Sequence, residues 1–260
     1  MGKNNINNSE SGRTQKGFIK KFSDRINSRP MSESLLMAFF LTISGGFQDS
    51  YSYFLRGKVF ANAQTGNIVL MSSCFFDGEF GDGLRYLLPL MSFSGGILLA
   101  EAFRRKFGDH VLLFHWKQFV LLFEIILLFI TGFIPERYNI IANAIVSFSC
   151  AMQVQSFRRL EDNVYASTMC IGNIRSCMDN LCSFLFTKNK KYLHSAIEYF
   201  FVLVSFFFGA RLGFFLKDFL GLKAIWVSSG LLLICFTIML IRYQIFKRLR
   251  KKITEEEREG

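Results

Sequence analysis

The feature that most constrains this chain is a series of apolar blocks, each about as long as a membrane-crossing helix, with charged residues held to their edges. A helix needs about 20 mostly apolar residues to cross the hydrocarbon core of a bilayer. Eight blocks approach that length: 35–55, 59–76, 84–103, 111–133, 138–157, 165–186, 193–216 and 222–241. The fourth and eighth are apolar all round, without the polar face that a helix of a water-soluble protein keeps. Composition agrees, because 51% of the 260 residues are hydrophobic and 32 Phe stand against only 3 Pro. The expected fold is an all-α polytopic membrane protein.

A net charge of +11 would suit nucleic acid if the basic residues formed a patch. They flank the apolar blocks instead: Lys16, Lys20, Lys21, Arg25 and Arg29 before the first, Lys247 to Lys252 after the last. Charge so placed sets orientation and touches anionic headgroups, so the expected partner is the lipid bilayer and not nucleic acid. Residues 1–30 hold no apolar stretch, so no cleavable signal is expected and the first block serves as the targeting segment. Cys74, Cys150, Cys170, Cys177, Cys182 and Cys235 lie inside apolar blocks with no C-x-x-C spacing and read as free packing thiols. His110, His115 and His194 sit near block ends and are expected to form no ligand cluster; no metal or cofactor is expected.

The two halves resemble each other. Gly45-Gly46-Phe47-Gln48-Asp49-Ser50 and then Ala63-Gln64-Thr65-Gly66-Asn67-Ile68 find counterparts in Ala151-Met152-Gln153-Val154-Gln155-Ser156 and Met169-Cys170-Ile171-Gly172-Asn173-Ile174. Phe93-Ser94-Gly95-Gly96 matches Phe208-Gly209-Ala210, and Trp116 and Trp226 open the fourth and eighth blocks. Four matches in one order indicate duplication. The expected organisation is a basic, disordered cytoplasmic tail at 1–30, one membrane repeat at 31–133, a second at 134–244 and a charged cytoplasmic tail at 245–260.

Loop charge bears on the number of crossings. The 77–85 connection carries Asp77, Glu79 and Asp82, whereas Arg104, Arg105 and Lys106 follow the third block and Lys188, Lys190 and Lys191 follow the sixth. Eight full crossings put the acidic and the Arg-Arg-Lys loops on the wrong sides by the positive-inside rule. If the first two blocks together make one net crossing, and the fifth and sixth likewise, every charged loop falls correctly. Six net crossings with inverted halves are therefore expected, and eight full helices with parallel repeats are the alternative. Gly45, Gly46, Gly66 and Gly172 are the expected backbone breaks.

Asp49, Glu124 and Asp179 lie well inside blocks, where a carboxylate at the centre of a spanning helix costs roughly 2.5 to 3.5 kcal/mol. Such a group needs a partner, water or a task, and these three are candidates for ion or proton coupling. Polar stripes run at helical spacing through four blocks: Thr42, Gly45, Gly46, Asp49, Ser52 and Tyr53 in the first; Asn62, Thr65, Gly66 and Ser73 in the second. Asn143, Ser147, Gln155 and Arg158 follow in the fifth, and Thr168, Gly172, Arg175, Ser176, Asp179 and Ser183 in the sixth. Such faces suit a small hydrated cavity between the halves, with Asp49, Asn62, Gln64, Thr65, Asn67, Gln153, Gln155, Asn173 and Arg175 as candidate solute ligands. Arg158 or Arg175 would pair with Asp49. Small and hydroxyl residues also line helix contacts in membranes, which is the competing structural reading.

The motifs Gly45-Gly46-Phe47-x-Asp49 with Val59 to Asn67, and Ala151 to Arg158 with Tyr165 to Ser176, resemble the YoaK family of bacterial multipass membrane proteins, a domain of unknown function. The resemblance covers about residues 32–242 and implies a bacterial plasma membrane location, and loop charge is expected to place both termini in the cytoplasm. Two positions depart from it: Ile171 stands where Thr is expected before Gly-Asn, and Lys58 where a Gly is common. The leading functional expectation is a secondary transporter or permease for a small polar solute, with a homo-oligomer possible and no ATP-binding motif. A membrane scaffold or regulatory subunit is the second reading. An intramembrane enzyme comes last, since no H-E-x-x-H or G-x-S-x-G signature occurs.

Overall fold

The computed structural model describes residues 34–107, 116–161 and 163–259. The expected tail at 1–30, His110 and His115 lie outside those residues. The chain is built from helices: α1 (Leu35–Leu55), α2 (Gln64–Phe76), α3 (Phe80–Phe107), α4 (Trp116–Thr131), α5 (Asn139–Ser156), α6 (Cys170–Thr187), α7 (Lys190–Leu220) and α8 (Ile225–Glu259). A small antiparallel hairpin, β1 (Arg159–Leu160) with β2 (Asn163–Val164), interrupts them.

Local chemistry sets several ends. The Ser34 hydroxyl accepts from the Met37 N–H at 3.3 Å and starts α1. Beyond Leu55 the backbone turns left-handed at Gly57 (φ 85°) and Lys58 (φ 63°), which accounts for the glycine common at the latter position. The Lys58 ammonium lies over the Tyr53 ring, 4.7 Å from its centroid. A second positive φ at Gly221 ends α7, and a 3-10 turn over Gly221–Ala224 leads into α8.

Among the described residues, two helical stretches are long and apolar enough to cross a membrane, Phe80–Phe107 and Lys190–Ile245. The second is two antiparallel helices. Along α7, Gly209 faces Ile43 and Gly213 faces Ser50, so α7 runs parallel to α1. Leu222 then meets Tyr51 and Ser228 meets Ser44, so α8 runs back. The main packing partners are α1 with α7 and α8, α5 with α3 and α4, α2 with α3, α6 with α7, and α4 with α8.

The interior is unusually polar and the exterior apolar. Gln48, Asn143, Ser147 and Gln153 are buried, whereas Phe76, Leu98, Phe186 and Phe219 are exposed. Met37, Leu41, Phe47, Leu121, Val146 and Leu232 belong to the apolar part of the core.

Gly45 and Gly46, expected to break a helix, do not: α1 is continuous from Leu35 to Leu55. They are positions of close approach. A Cβ at Gly46 would collide with the Phe206 carbonyl, and one at Gly209 with the Ile43 carbonyl, because α1 and α7 pack backbone to backbone there. Gly46→Leu is expected to lower stability by at least about 1–3 kcal/mol, read as a lower unfolding midpoint in detergent. An unchanged midpoint would refute the close packing. Gly66 and Gly172 also fall inside helices, in the first turns of α2 and α6. The actual interruptions lie just upstream, at 59–63 and 165–169, where the chain is irregular and turns instead of continuing as helix.

Candidate functional site

The first interruption turns back along α1. The Ala61 N–H donates to Ser52 Oγ (3.0 Å), the Asn62 N–H to Asp49 Oδ1 (2.7 Å), and Asn62 Nδ2 to the Gly45 carbonyl (3.2 Å). The chain thus descends two turns of α1 before α2 begins at Gln64. The residue ahead of α2, Ala63, has no capping side chain. Asp49 supplies the cap from the neighbouring helix, with the Ala61 and Ala63 amides also turned to its carboxylate. An anion among the free N–H groups at a helix start is favourable in charge and hydrogen bonding.

The expected ion pair with Arg158 or Arg175 is therefore replaced by backbone amides. Both arginines are exposed. Asp49→Ala is expected to destabilise the fold by about 1–3 kcal/mol, since it strands buried N–H groups. Thermal unfolding together with faster amide exchange over 59–67 would read it; wild-type behaviour in both would reject the capping role.

The second interruption follows α5. The hairpin closes with Tyr165 N–H donating to the Arg158 carbonyl (3.0 Å), and Tyr199 Oη ties the Val164 carbonyl to α7 (2.8 Å). The next residues enter the core, where the Ser167 carbonyl and Thr168 press on Gly45 so closely that a Cβ there would collide with them. Gln153 Nε2 donates to Ser167 Oγ (2.8 Å) and to the Leu41 carbonyl (3.0 Å), fastening this segment to α1. Both interrupted segments therefore converge on Gly45.

The two Gly-Asn pairs have matching roles. Asn67 Nδ2 donates to the Phe60 carbonyl (2.7 Å) while its Oδ1 accepts the Phe60 N–H (3.1 Å). Asn173 does the same seven residues back, donating to the Ala166 carbonyl (2.7 Å) and accepting its N–H (3.3 Å). Each amide is a clamp that folds the interrupted segment onto the helix behind it. Gln64 takes part locally, donating to the Ala61 carbonyl and accepting from Asn67.

Around Gly45 several buried oxygens have no partner among the described residues: Thr42 Oγ1, Asn62 Oδ1, Gln153 Oε1 and Thr168 Oγ1. Beside them runs a bonded chain that sequence reading missed. Cys150 Sγ donates to Gln48 Oε1 (2.6 Å), Gln48 Nε2 donates to Ser44 and Ser228 (2.9 Å each), and those hydroxyls share a 2.7 Å bond. The Cys150 thiol lies within electrostatic reach of both Asp49 and Glu124. Glu124 is fully buried on α4, and both its carboxyl oxygens lack a protein partner.

Other candidates fall elsewhere. Gln155 does not join Asp49; its Nε2 donates to Glu101 Oε2 (2.9 Å), and the same carboxylate accepts from Arg104 at Oε2 and from Arg105 at Oε1, at the end of α3. Arg175 and Asp179 pair loosely at 3.7 Å on the outer side of α6, with side chains 84% and 72% exposed, so they do not line the core. The cause is that α6 buries only Asn173 and Cys177, one turn apart, and Arg175 and Asp179 point the opposite way. Thr65 is exposed. His194, expected to join no cluster, lies against two carboxylates. Also missed was Arg56, fully buried directly after the first block.

These features define a helical protein with an apolar exterior, helices able to cross a membrane, and a polar core where two interrupted segments meet. Residues 37–238 match the family described as "Protein of unknown function (DUF1275)", and the chain belongs to it, in agreement with the YoaK-like motifs. No curated protein and no solved structure matches the chain.

Proposed function

We propose that the chain is a multi-pass protein of the bacterial plasma membrane, not an enzyme, that carries a small polar solute by secondary transport. The observation that carries this reading is the group of unpartnered oxygens on Thr42, Asn62, Gln153 and Thr168, gathered where the two interrupted segments meet at Gly45. Unpaired buried acceptors are costly unless something donates to them. The solute that fits is one that presents N–H or O–H donors, or a small cation.

The apolar exterior supports membrane embedding, and helix length supports six net crossings. With 13 residues, α2 is about 20 Å long at 1.5 Å per residue, short of a roughly 30 Å hydrocarbon core. It therefore serves as a re-entrant limb paired with α1; α6 is longer, at 18 residues, and takes the same role beside α5 on the strength of the repeat. Packing supports inverted halves: exchanging α1, α2, α3 and α4 for α5, α6, α7 and α8 turns α1 on α7 into α5 on α3, α2 on α3 into α6 on α7, and α1 on α8 into α5 on α4. Such exchange is what any pseudo-two-fold axis gives, and the antiparallel run of α5 along α1, with Asn143 against Arg56 and Gln153 against Leu41, supports an axis in the membrane plane.

Orientation follows from loop charge, with both termini and Lys188 to Lys191 cytoplasmic and Asp77 to Asp82 outside. Single cysteines placed at Gly81 and Asn189 in an otherwise cysteine-free chain test it: an impermeant reagent on intact cells is expected to label Gly81 only. Labelling at Asn189 alone would sink the six-crossing arrangement. Transport is tested by reconstitution in proteoliposomes under an imposed ion gradient, screening ammonium, amines, amides and polyols. Gradient-dependent uptake lost in Asn62→Ala and Gln153→Ala supports the site.

The fully spent amides of Asn67 and Asn173 favour a second reading, a scaffold or regulatory subunit whose polar groups only pack. Folded variants of the four unpartnered oxygens that leave all measured uptake unchanged would decide for it.

A further inference from the structure

Away from the polar core, the hairpin brings a distant carboxylate, Glu161, to a His–Glu pair on α7. His194 and Glu198 are one turn apart on α7 and share a face. Glu161 arrives from the hairpin tip, where its backbone is left-handed at φ 51°. His194 Nε2 stands 3.0 Å from Glu198 Oε1 and 3.8 Å from Glu161 Oε2, and one ligand atom from each of the three lies within 4.8 Å of the others. Two carboxylates thus face one imidazole nitrogen. Glu198 is nearly sealed, its side chain 5% exposed, while His194 is 68% exposed, so the cluster has a closed floor and an open mouth.

An isolated helical His–Glu pair explains the 3.0 Å contact but not the arrival of a second carboxylate from another element. Nor does it explain the support behind Glu198. Asn163 Nδ2 donates to Glu198 Oε2 at 2.6 Å and also to Ser195 Oγ at 3.1 Å, leaving Oε1 turned to His194. Hydrogen bonds of this kind orient first ligands in metal sites. Donors each about 2.0–2.2 Å from a common ion are roughly 3–3.5 Å apart in tetrahedral geometry, so closing the Glu161 gap needs only a side-chain adjustment at the exposed mouth. One nitrogen and two carboxylate oxygens with an open position suit a first-row divalent ion and give little purchase for Mg2+, which keeps its water shell.

We propose that Glu161, His194 and Glu198 bind a first-row divalent cation, Zn2+ in particular, which fastens the hairpin to α7. The hairpin leads directly to Ser167 and Thr168, so the ion would hold the second interrupted segment in place. This binding does not depend on the transport reading.

The test uses the full chain in detergent, purified without an oligohistidine tag and titrated calorimetrically with Zn2+ and, separately, Mg2+. One Zn2+ per chain is expected, weakened at least about tenfold by His194→Ala or Glu161→Gln and about tenfold by Asn163→Ala, with no matching Mg2+ signal. His194 and Glu161 lie at the open mouth, so circular dichroism and elution of both variants should match wild type. Co2+ bound in place of Zn2+ is expected to lack a thiolate charge-transfer band, which separates this site from the six cysteines. Zn2+ should also slow amide exchange over residues 163–168 in the wild type but not in His194→Ala. Zn2+ affinity unchanged in His194→Ala, a thiolate band, or exchange indifferent to Zn2+ would each overturn the proposal.

Discussion

Arg56→Leu is expected to cost at least about 1–3 kcal/mol of stability, the penalty of stranding a buried acceptor, and to leave less folded protein in detergent. The guanidinium is fully buried, and no carboxylate among the described residues pairs with it. It donates to the Thr131 and Ile134 carbonyls (2.8 Å each), to Asn139 Oδ1 (3.1 Å) and to Tyr51 Oη (2.8 Å). Thr131 is the last residue of α4, where the helix dipole is negative, and Ile134 lies in the turn that follows, its N–H bonded back to the Thr131 carbonyl at 3.2 Å. Arg56 therefore closes α4 and holds the α4–α5 connection against the end of α1. Leucine fills the volume but strands those acceptors. Arg56→Lys keeps the charge but cannot reach several acceptors in a fixed fork, so an intermediate loss is expected. Thiol-reactive thermal unfolding would read the series through buried Cys150 and Cys235, and an Arg56→Leu midpoint equal to wild type would reject the role.

Nothing in local sequence announces that role. Arg56 follows an apolar block and looks like one more edge charge, and its partners Thr131 and Ile134 stand some 75 residues away. The stripe through Thr42, Gly45, Gly46, Asp49 and Ser52 was legible because α1 is one unbroken helix, and all five are buried. The stripes through the second and sixth blocks failed at different points. Residues 59–63 and 165–169 are non-helical, so helical spacing cannot be carried across them, and within α6 the buried face is that of Asn173 and Cys177. Asn62 is positioned by Asp49 and Gly45 instead of by α2, and α6 turns Arg175 and Asp179 outward. Composition reveals an apolar block, but not which of its N–H groups are satisfied by another helix.

The same limit applies to the Gly-Asn pairs. Their recurrence marks the duplication, yet only geometry separates a ligand amide from a clamp on the residue seven positions earlier. Gln48 shows the converse. It reads as an unremarkable polar residue, and its partner Ser228 is 180 positions away. The polar core is assembled almost wholly by such distant contacts, so blocks and orientation are readable in one dimension and the site is not.

Glu124→Leu is expected to make the protein more stable and to abolish gradient-driven uptake. Glu124 sits on α4 with Leu121 and Leu128 about one turn away on either side, both fully buried, while Cys150 of α5 and Cys235 of α8 are the titratable groups within its reach. Neither carboxyl oxygen has a protein hydrogen bond. A buried polar group without a partner costs about 1–3 kcal/mol by mutational measures, so a leucine of similar size should raise the unfolding midpoint. A residue kept at such a cost is explained by a task, and in a gradient-driven carrier the task is to take up and release an ion or proton as the core opens. Glu124→Gln preserves size and hydrogen-bonding capacity but cannot change charge. It should therefore retain solute exchange across proteoliposomes while losing accumulation against a gradient. A less stable Glu124→Leu protein would point to a structural partner for the carboxyl, and a Glu124→Gln protein that accumulates solute like wild type would remove this residue from the coupling step.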